Sequence, residues 1–363
     1  MLSTDAQYDL ACACNTSKDQ ARKRSPAGNW IYPVTLPNGG RSVLFKTLMS
    51  NACNSDCKYC PLREQQDPRR CTLTPEETVE VFLDYYQRGQ VFGLFLSSSL
   101  MRSADATMQR INSVARILRR RHRFTGYIHL KVIPGASDAA VEEAVSLANA
   151  VSLNIETPGQ ANMLSLSTKK DYIRDIINPI KLISRLTAKG TKYQQVKQST
   201  QFIVGAAQEA DTEIVKYMWG LYDRLKLQRI YFSTYQKGLG DPSMPGERAM
   251  HRPEDVFQRE HRLYQVDFLF RQYGFTESDI VFGEQGGLSL TMDPKEAWAV
   301  NHPEQFPVPV NHAPKWKLLR VPGLGPVTVR RILQERRKAR ITSVGGIGRV
   351  GKRLRRAEKY LTF

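Results

Sequence analysis

Cys53-Asn54-Ser55-Asp56-Cys57-Lys58-Tyr59-Cys60 follows closely on the apolar run from Val43 to Met49. That run reads as a buried strand, so the three thiols lie on the loop that leaves it. Thiolates are the preferred ligands of iron-sulfur clusters, and three of them on a four-iron cluster leave one iron open to a substrate or cofactor. A structural zinc ion is the alternative. It asks for a fourth ligand, for which Cys71 is the candidate, and usually for a second knuckle of paired thiols; no second C-x-x-C or C-x-x-H follows.

Outward from the loop, strand and helix patterns alternate from 42 to 236. Strands are expected near 42–49, 91–97, 127–133, 151–156, 200–205 and 229–235. Helices are expected after Thr74, whose Thr-Pro-Glu-Glu sequence supplies a cap, a first-turn proline and two carboxylates at the positive helix end. The other helices are expected over 105–121, 138–148, 172–188 and 209–225. Six βα units in series predict a parallel sheet curled into a partial (β/α)6 barrel, whose chemistry lies at the C-terminal ends of its strands. The cysteine loop falls at such an end.

Residues two apart on a strand share a face. Ile128, Leu130 and Val132 alternate with His129 and Lys131; Val151, Leu153 and Ile155 with Ser152, Asn154 and Glu156; Ile230 and Phe232 with Tyr231, Ser233 and Tyr235. The apolar set is read as facing helices and the polar set as lining a lumen, since a charged cofactor needs polar partners there; for any single residue a structural hydrogen bond is the plain alternative. Lys46, His129, Lys131 and Tyr235 are the lumen candidates for catalysis. Glu156, beside Asn154, is the candidate acceptor of ribose hydroxyls, and Lys46 or Lys131 the candidate partner of a carboxylate or phosphate.

Six cysteines with half of them inside eight residues do not form a secreted disulfide framework. Cys12, Cys14 and Cys71 read as bystanders to the cluster. Residues 1–20 show no apolar signal stretch and no run approaches a membrane span, so the expectation is a cytoplasmic protein without a membrane partner. The net charge of +18 points to a polyanionic partner, nucleic acid before membrane. From Lys315 to Phe363, fifteen Lys or Arg face two Glu, so this short stretch holds +13 of that charge.

Within that stretch, Val321-Pro322-Gly323-Leu324-Gly325-Pro326 sits between apolar helical segments. Glycines at such a turn expose successive backbone N–H groups at a helix N-terminus, a ready phosphate site. The turn resembles the helix-hairpin-helix motif, which grips the DNA backbone without reading sequence, and residues 344–349 before Lys352 resemble a degenerate second hairpin. Gly323, Gly325, Arg330, Arg331, Lys352 and Arg353 are the candidate DNA contacts; a helical hairpin used for protein contact is the alternative. The expected division is an irregular lead-in over 1–40, where Arg22-Lys23-Arg24 is either a phosphate contact or a solvated run, then a barrel over 41–250, a helical extension and linker over 251–312, and a small all-α module over 313–363.

The spacing C-x-x-x-C-x-aromatic-C, with Tyr59 in the aromatic place, resembles the signature of the radical S-adenosylmethionine (SAM) superfamily. That resemblance implies a 4Fe-4S cluster on Cys53, Cys57 and Cys60, SAM on the open iron with Tyr59 near its adenine, and reductive cleavage to a 5'-deoxyadenosyl radical. It further implies that Ser97, Ser98 and Ser99 stand where the superfamily carries a Gly-Gly-Glu-like turn for the methionine amino group, and that the main chain at Val204 and Gly205 holds adenine. The order of parts, including Tyr8-Asp9-Leu10, residues 126–135, 198–205 and 259–265, and Asn311-His312-Ala313-Pro314, resembles radical SAM proteins with a C-terminal helix-hairpin-helix that are associated with DNA modification or repair. Their partners are DNA, a uracil-DNA-glycosylase-like protein, and an electron donor such as flavodoxin or ferredoxin. The expected activity is modification or repair of a nucleotide in DNA. The alternatives are the same chemistry on tRNA or another RNA, and a cluster-containing DNA-binding protein that recruits a glycosylase-like partner without catalysis.

Overall fold

The computed structural model describes residues 1–6, 32–35, 41–249 and 252–363. Cys12, Cys14, Arg22-Lys23-Arg24 and Tyr8-Asp9-Leu10 lie outside the described residues. The chain divides into two compact units, Met1–Glu209 with Arg224–Met250, and Ala210–Asp223 with His251–Phe363.

The first unit opens with the short helix α1 (Leu2–Asp5) and carries one sheet of seven strands in chain order. They are β1 (Tyr32–Thr35), β2 (Arg41–Leu48), β3 (Gly93–Ser97), β4 (Tyr127–Lys131), β5 (Ala150–Ser152), β6 (Lys197–Val204) and β7 (Arg229–Thr234). β2 through β7 run parallel, which is the strand order of a partial (β/α)6 barrel. β1 pairs antiparallel with β2 at the edge, a strand that the Pro- and Gly-punctuated sequence does not announce. An edge position is where a strand tolerates a proline such as Pro33.

Helices α2 (Pro75–Gln87), α3 (Ala104–Arg116), α4 (Asp138–Leu147), α5 (Gly159–Leu166) and α6 (Asn178–Leu186) connect successive strands. α2 starts where the sequence predicts: the Thr74 hydroxyl accepts from the Glu77 N–H at 3.2 Å, and Glu77 accepts from the Thr74 N–H at 2.7 Å. α3 runs on as one π-helical turn, Ile117–Arg121, and α6 is preceded by another, Tyr172–Ile177. The strand alternation holds in β4 and β7, whereas β5 ends at Ser152, short of the expected 156, and leaves Asn154 and Glu156 past the strand. Leu94, Leu96, Ile128, Leu130, Val151, Phe202, Val204, Ile230 and Phe232 are wholly buried on the helix side, each worth about 1.5–3 kcal/mol of transfer free energy.

The second unit contains α7 (Asp211–Asp223), α9 (Pro253–Phe268), α10 (Pro294–Asn301), α11 (Lys315–Arg320), α12 (Pro326–Glu335) and α13 (Lys352–Glu358); the one-turn α8 (Pro245–Arg248) belongs to the first. Residues 251–312, expected as extension and linker, and 313–363, expected as a module, fall in one unit together with α7. The physical reason is a shared core: Val308, Val310 and Ala313 are buried with Leu318, Leu324, Ile332 and Ala357, and Tyr273 and Phe306 pack against them. Two strands, β8 (Val308–Pro309) and β9 (Leu361–Thr362), pair across it. Arg320 is held by Asp279 at 2.5 and 3.0 Å and lies between the rings of Phe275 and Trp298. In the 259–265 segment, Arg259 pairs with buried Asp211 at 2.6 Å, a structural role. Among the described residues no helix is long and apolar enough to cross a membrane.

Candidate active site

The cysteine loop leaves β2 and is tied on three sides before any ligand is considered. Asn54 N donates to Leu100 O at 2.9 Å and Lys58 N to Leu166 O at 2.8 Å. The Asp56 carboxylate accepts from the Ser167 hydroxyl, from Thr168 N at 2.8 Å and Oγ1 at 2.7 Å, and from Lys169 N at 3.3 Å. Burial works against its ionisation, but these donors outweigh it and hold the carboxyl below its usual range. Arg63 bonds the carbonyls of Cys60 and Leu239, both at 3.0 Å, and Arg70 bonds four more, those of Asn51, Leu62, Arg63 and Gln66.

All three thiols open into one cavity of about 290 Å³ at the C-terminal ends of the strands. Each sulfur has a neighbouring donor: Ser55 N to Cys53 Sγ at 3.4 Å, Ser55 Oγ beside Cys57 Sγ at 3.1 Å, and Leu62 N to Cys60 Sγ at 3.4 Å. Burial raises the Cys53 thiol and, with Cys57 nearby, pushes Cys60 up to about 12. Among the described residues no three His, Cys, Asp or Glu side chains converge on a point that would hold a single metal ion. Cys71, the candidate fourth zinc ligand, is not on the cavity wall. It packs at the edge of the apolar cluster of Leu2, Ala6, Leu48 and Leu62.

The wall facing the thiols is polar. Ser97, Ser98 and Ser99 line it, as do Lys131, Asn154, Glu156, Gln201, Ser233 and Tyr235. Lys131 Nζ donates to Asn154 Oδ1. Tyr59 also lines the cavity; burial raises its hydroxyl well above the ordinary range, and the Cys57 and Glu156 charges and a hydrogen bond to Glu156 raise it further. Glu156 is buried and adopts φ +64°, left-handed for a residue other than glycine. Such a conformation costs on the order of 1–3 kcal/mol and persists only where the surroundings impose it. Here Glu156 N donates to Gln201 O at 3.0 Å and Ile203 N to Glu156 O at 2.7 Å, which fixes the bend and aims the carboxylate inward.

Four expected residues lie elsewhere. Lys46 and His129 sit beneath the cavity in an aromatic floor: Lys46 lies over the Phe95 ring at 5.2 Å, Phe95 meets His129 edge-on at 4.6 Å, and His129 Nε2 bonds Ser152 Oγ at 2.9 Å. Both belong to the lumen-facing set, but they are level with Phe95 across β2, β3 and β4, two residues short of Lys131, which lines the cavity. Val204 and Gly205 are off the wall, and Ile203 lines it instead. Val204 is buried on the helix side, its carbonyl accepts from Tyr235 N, and Gly205 turns at φ +83° beneath Gly246.

The structure adds groups that spacing did not reveal. Lys170 lines the cavity, reaches Tyr59 OH at 3.4 Å, and hydrogen-bonds Cys57. Burial opposes its charge, yet Cys57 and Glu156 outweigh that and raise its pKa. Glu247 accepts from Tyr235 OH, from Gly238 N at 2.8 Å and from Gly240 N at 3.0 Å. The connection it organises reaches the cysteine loop through Asp241 N to Lys58 O at 2.8 Å. The signal available for Lys170 was positional: the polar run 167–171 follows β5 on the same side as the cysteines.

In the second unit, Gly323-Leu324-Gly325 and Gly346-Ile347-Gly348 form two turns with buried centres, Leu324 at 2% and Ile347 at 1% exposure. Their packing is reciprocal. A side chain on Gly323, at φ +87°, would lie 2.2 Å from Arg353 O, and one on Gly348 would lie 2.3 Å from Arg331 Nη1. Arg330, Arg331, Lys352 and Arg353 are exposed beside the turns.

No protein-family model and no curated protein matches the chain. Similarity to solved structures is confined to part of the fold. Methylornithine synthase (PylB) has 14% identity and a TM-score of 0.45, covering 57% of this chain and 56% of that one. HydG, a maturase of the FeFe-hydrogenase, has 12% and 0.48, covering 61% and 49%. Streptococcus suis SuiB bound to S-adenosylmethionine has 10% and 0.44, covering 63% and 44%. The chain spans about half the length of these structures.

Proposed function

We propose that this chain is a radical SAM enzyme, with a 4Fe-4S cluster on Cys53, Cys57 and Cys60 and S-adenosylmethionine in the adjoining cavity, that modifies or repairs a nucleotide in DNA. The observation that carries the reading is the opening of three thiols, each with its own hydrogen-bond donor, into one polar cavity at the C-terminal ends of six parallel strands. Donors to sulfur stabilise thiolates bound to iron. Cys71, the candidate fourth zinc ligand, lies off the cavity wall, so the three thiols fit a cluster with one open iron better than a four-coordinate zinc ion. When bound, such a cluster supplies the electron for reductive cleavage of SAM.

The chain's own residues supply the rest. Lys170 is placed to meet a carboxylate beside the thiols. Glu156, set by its backbone and by Tyr59, is placed to accept hydroxyl donors. Ser97 to Ser99 offer oxygens to an amino group, and Leu62, Ile133 and Pro134 give the cavity an apolar side that excludes water. In the second unit, the two glycine turns act as paired helix-hairpin-helix elements that take the DNA backbone without reading bases. A flavodoxin- or ferredoxin-type protein is the electron donor.

The test is anaerobic reconstitution followed by assay of 5'-deoxyadenosine with and without duplex DNA. SAM cleavage that requires all three cysteines and rises with DNA is expected. A fully loaded cluster that neither cleaves SAM nor changes spectroscopically on adding it refutes the enzyme reading. Stimulation by tRNA in place of DNA moves the target to RNA.

A further inference from the structure

Topology collects charge that is scattered in sequence. In a parallel β/α sheet every helix returns to its strand at the pole opposite the cavity. The returns before β4 and β6, residues 117–127 and 187–197, contain seven Lys or Arg and no Asp or Glu. Arg120, Arg121, Arg123, Lys189 and Lys192 are exposed there. One strand separates β4 from β6, so at about 4.8 Å per strand the two returns lie roughly 10 Å apart.

The arginine loop is also rigidly presented. Arg119 commits its guanidinium to it, bonding the carbonyls of Phe124 at 2.7 Å, Gly126 at 2.8 Å and Leu147 at 3.0 Å, and Asn149 Oδ1 at 2.7 Å. Glu143 of α4 is taken by Arg116 at 2.5 Å and Asp84 of α2 by Arg88 at 2.8 Å. Glu76 and Glu80 of α2 line a groove with Arg121, so phosphate contacts rest most on Arg120, Arg123, Lys189 and Lys192. Within the returns themselves none of the exposed large apolar side chains of the described residues occurs. Val81 and Tyr86 of α2 flank the first return, Val81 in the groove with Arg121 and Tyr86 edge-on to Phe124, and nothing comparable among the described residues flanks the second. Protein interfaces and membrane-inserting surfaces need such apolar centres, whereas phosphate contacts do not.

We propose that this pole of the barrel is a second nucleic-acid contact surface, which takes the phosphate backbone of a duplex through Arg120, Arg121, Arg123, Lys189 and Lys192, independently of the C-terminal unit. β4 places about 13 Å of strand between Tyr127 and the cavity wall at Lys131, and the exposed arginines lie before Tyr127, so the duplex held here is a flanking segment and not the reacting nucleotide. Complementing helix C-termini is the competing role for Arg120 and Arg121. Arg123, Lys189 and Lys192 lie beyond the helix ends, where that effect has faded.

The experiment measures binding of the full chain to a duplex oligonucleotide across a salt series. The variant R120Q/R121Q/R123Q/K189Q/K192Q is compared with R330Q/R331Q/K352Q/R353Q and with their combination. Removing one Lys or Arg from a phosphate lowers the log–log salt slope by about 0.9, so the slope of the pole variant is expected to fall by up to about 4.5. The fall should be the same in both backgrounds. The charge-conserving R120K/R121K/R123K/K189R/K192R variant should keep the wild-type slope, and K189Q/K192Q alone, which guards against poor folding of the larger variant, should fall by about 2. An unchanged slope in both Gln variants overturns the proposal, as does loss of anionic-vesicle or acidic-protein binding with duplex affinity intact. A slope that falls only in the pole variant overturns the role given to the C-terminal turns and leaves this surface standing.

Discussion

Asp56→Ala removes the carboxylate that joins the cysteine loop to residues 167–169. Four hydrogen bonds end on that carboxylate. Bonds to a charged group are worth about 1.5–3 kcal/mol each when desolvated. Asp56 is only half-buried and Thr168 and Lys169 are exposed, so water replaces most of what the substitution removes. The net loss is about 1–2 kcal/mol, a factor of roughly 5–30 in the population of the opened loop. Alkylation of Cys53, Cys57 and Cys60 in the cluster-free chain should accelerate by that factor, and iron retained after reconstitution should fall. Because the folded carboxyl is held below its usual range, its stabilisation is complete above the unfolded value of about 3.9 and is lost as pH falls through the folded one. Wild type and variant should therefore converge in acid. Equal alkylation rates at neutral pH, with equal urea midpoints, would refute the account of how the loop is held.

Lys295 donates to Leu324 O at 2.6 Å over the Tyr273 ring, and burial lowers its pKa to about 7. The unfolded chain binds more protons between that value and about 10.4, so stability rises with pH across the window, and K295M abolishes the rise in urea unfolding measured at either side of it. Gly323→Ala sets a methyl 2.2 Å from Arg353 O at φ +87°, and should cost on the order of 3 kcal/mol, read as a lowered thermal midpoint with weakened duplex binding. Thr74→Ala breaks the capping box of α2 and should cost about 1 kcal/mol in denaturant unfolding while leaving iron content unchanged.

The strand alternation, the start of α2 and the place of the cysteine loop were legible in sequence because each depends on neighbours within a few residues. Period-two patterning in β4 and β7 assigned each face before any packing was known. Depth along the lumen was not legible: Lys46 and Lys131 obey the same alternation, and only strand register sets Lys46 level with Phe95 and His129 in the floor and Lys131 two residues nearer the cavity. Lys170 was missed because its partners, Tyr59 and Cys57, are more than a hundred residues away in the chain. That Val204 and Gly205 lie off the cavity wall has a related reason, since the turn under Gly246 depends on a contact some forty residues distant.

By itself, the sequence determined that three thiols share a loop, that a β/α series surrounds them, and that the last fifty residues are strongly basic. Local spacing, periodicity and composition suffice for each. Tertiary structure decided which polar residues meet the thiols and that residues 251–312 share a core with the basic turns. It also gathered the arginines before β4 and the lysines before β6 at one pole. Those are matters of long-range packing and strand order, which no window of neighbouring residues contains.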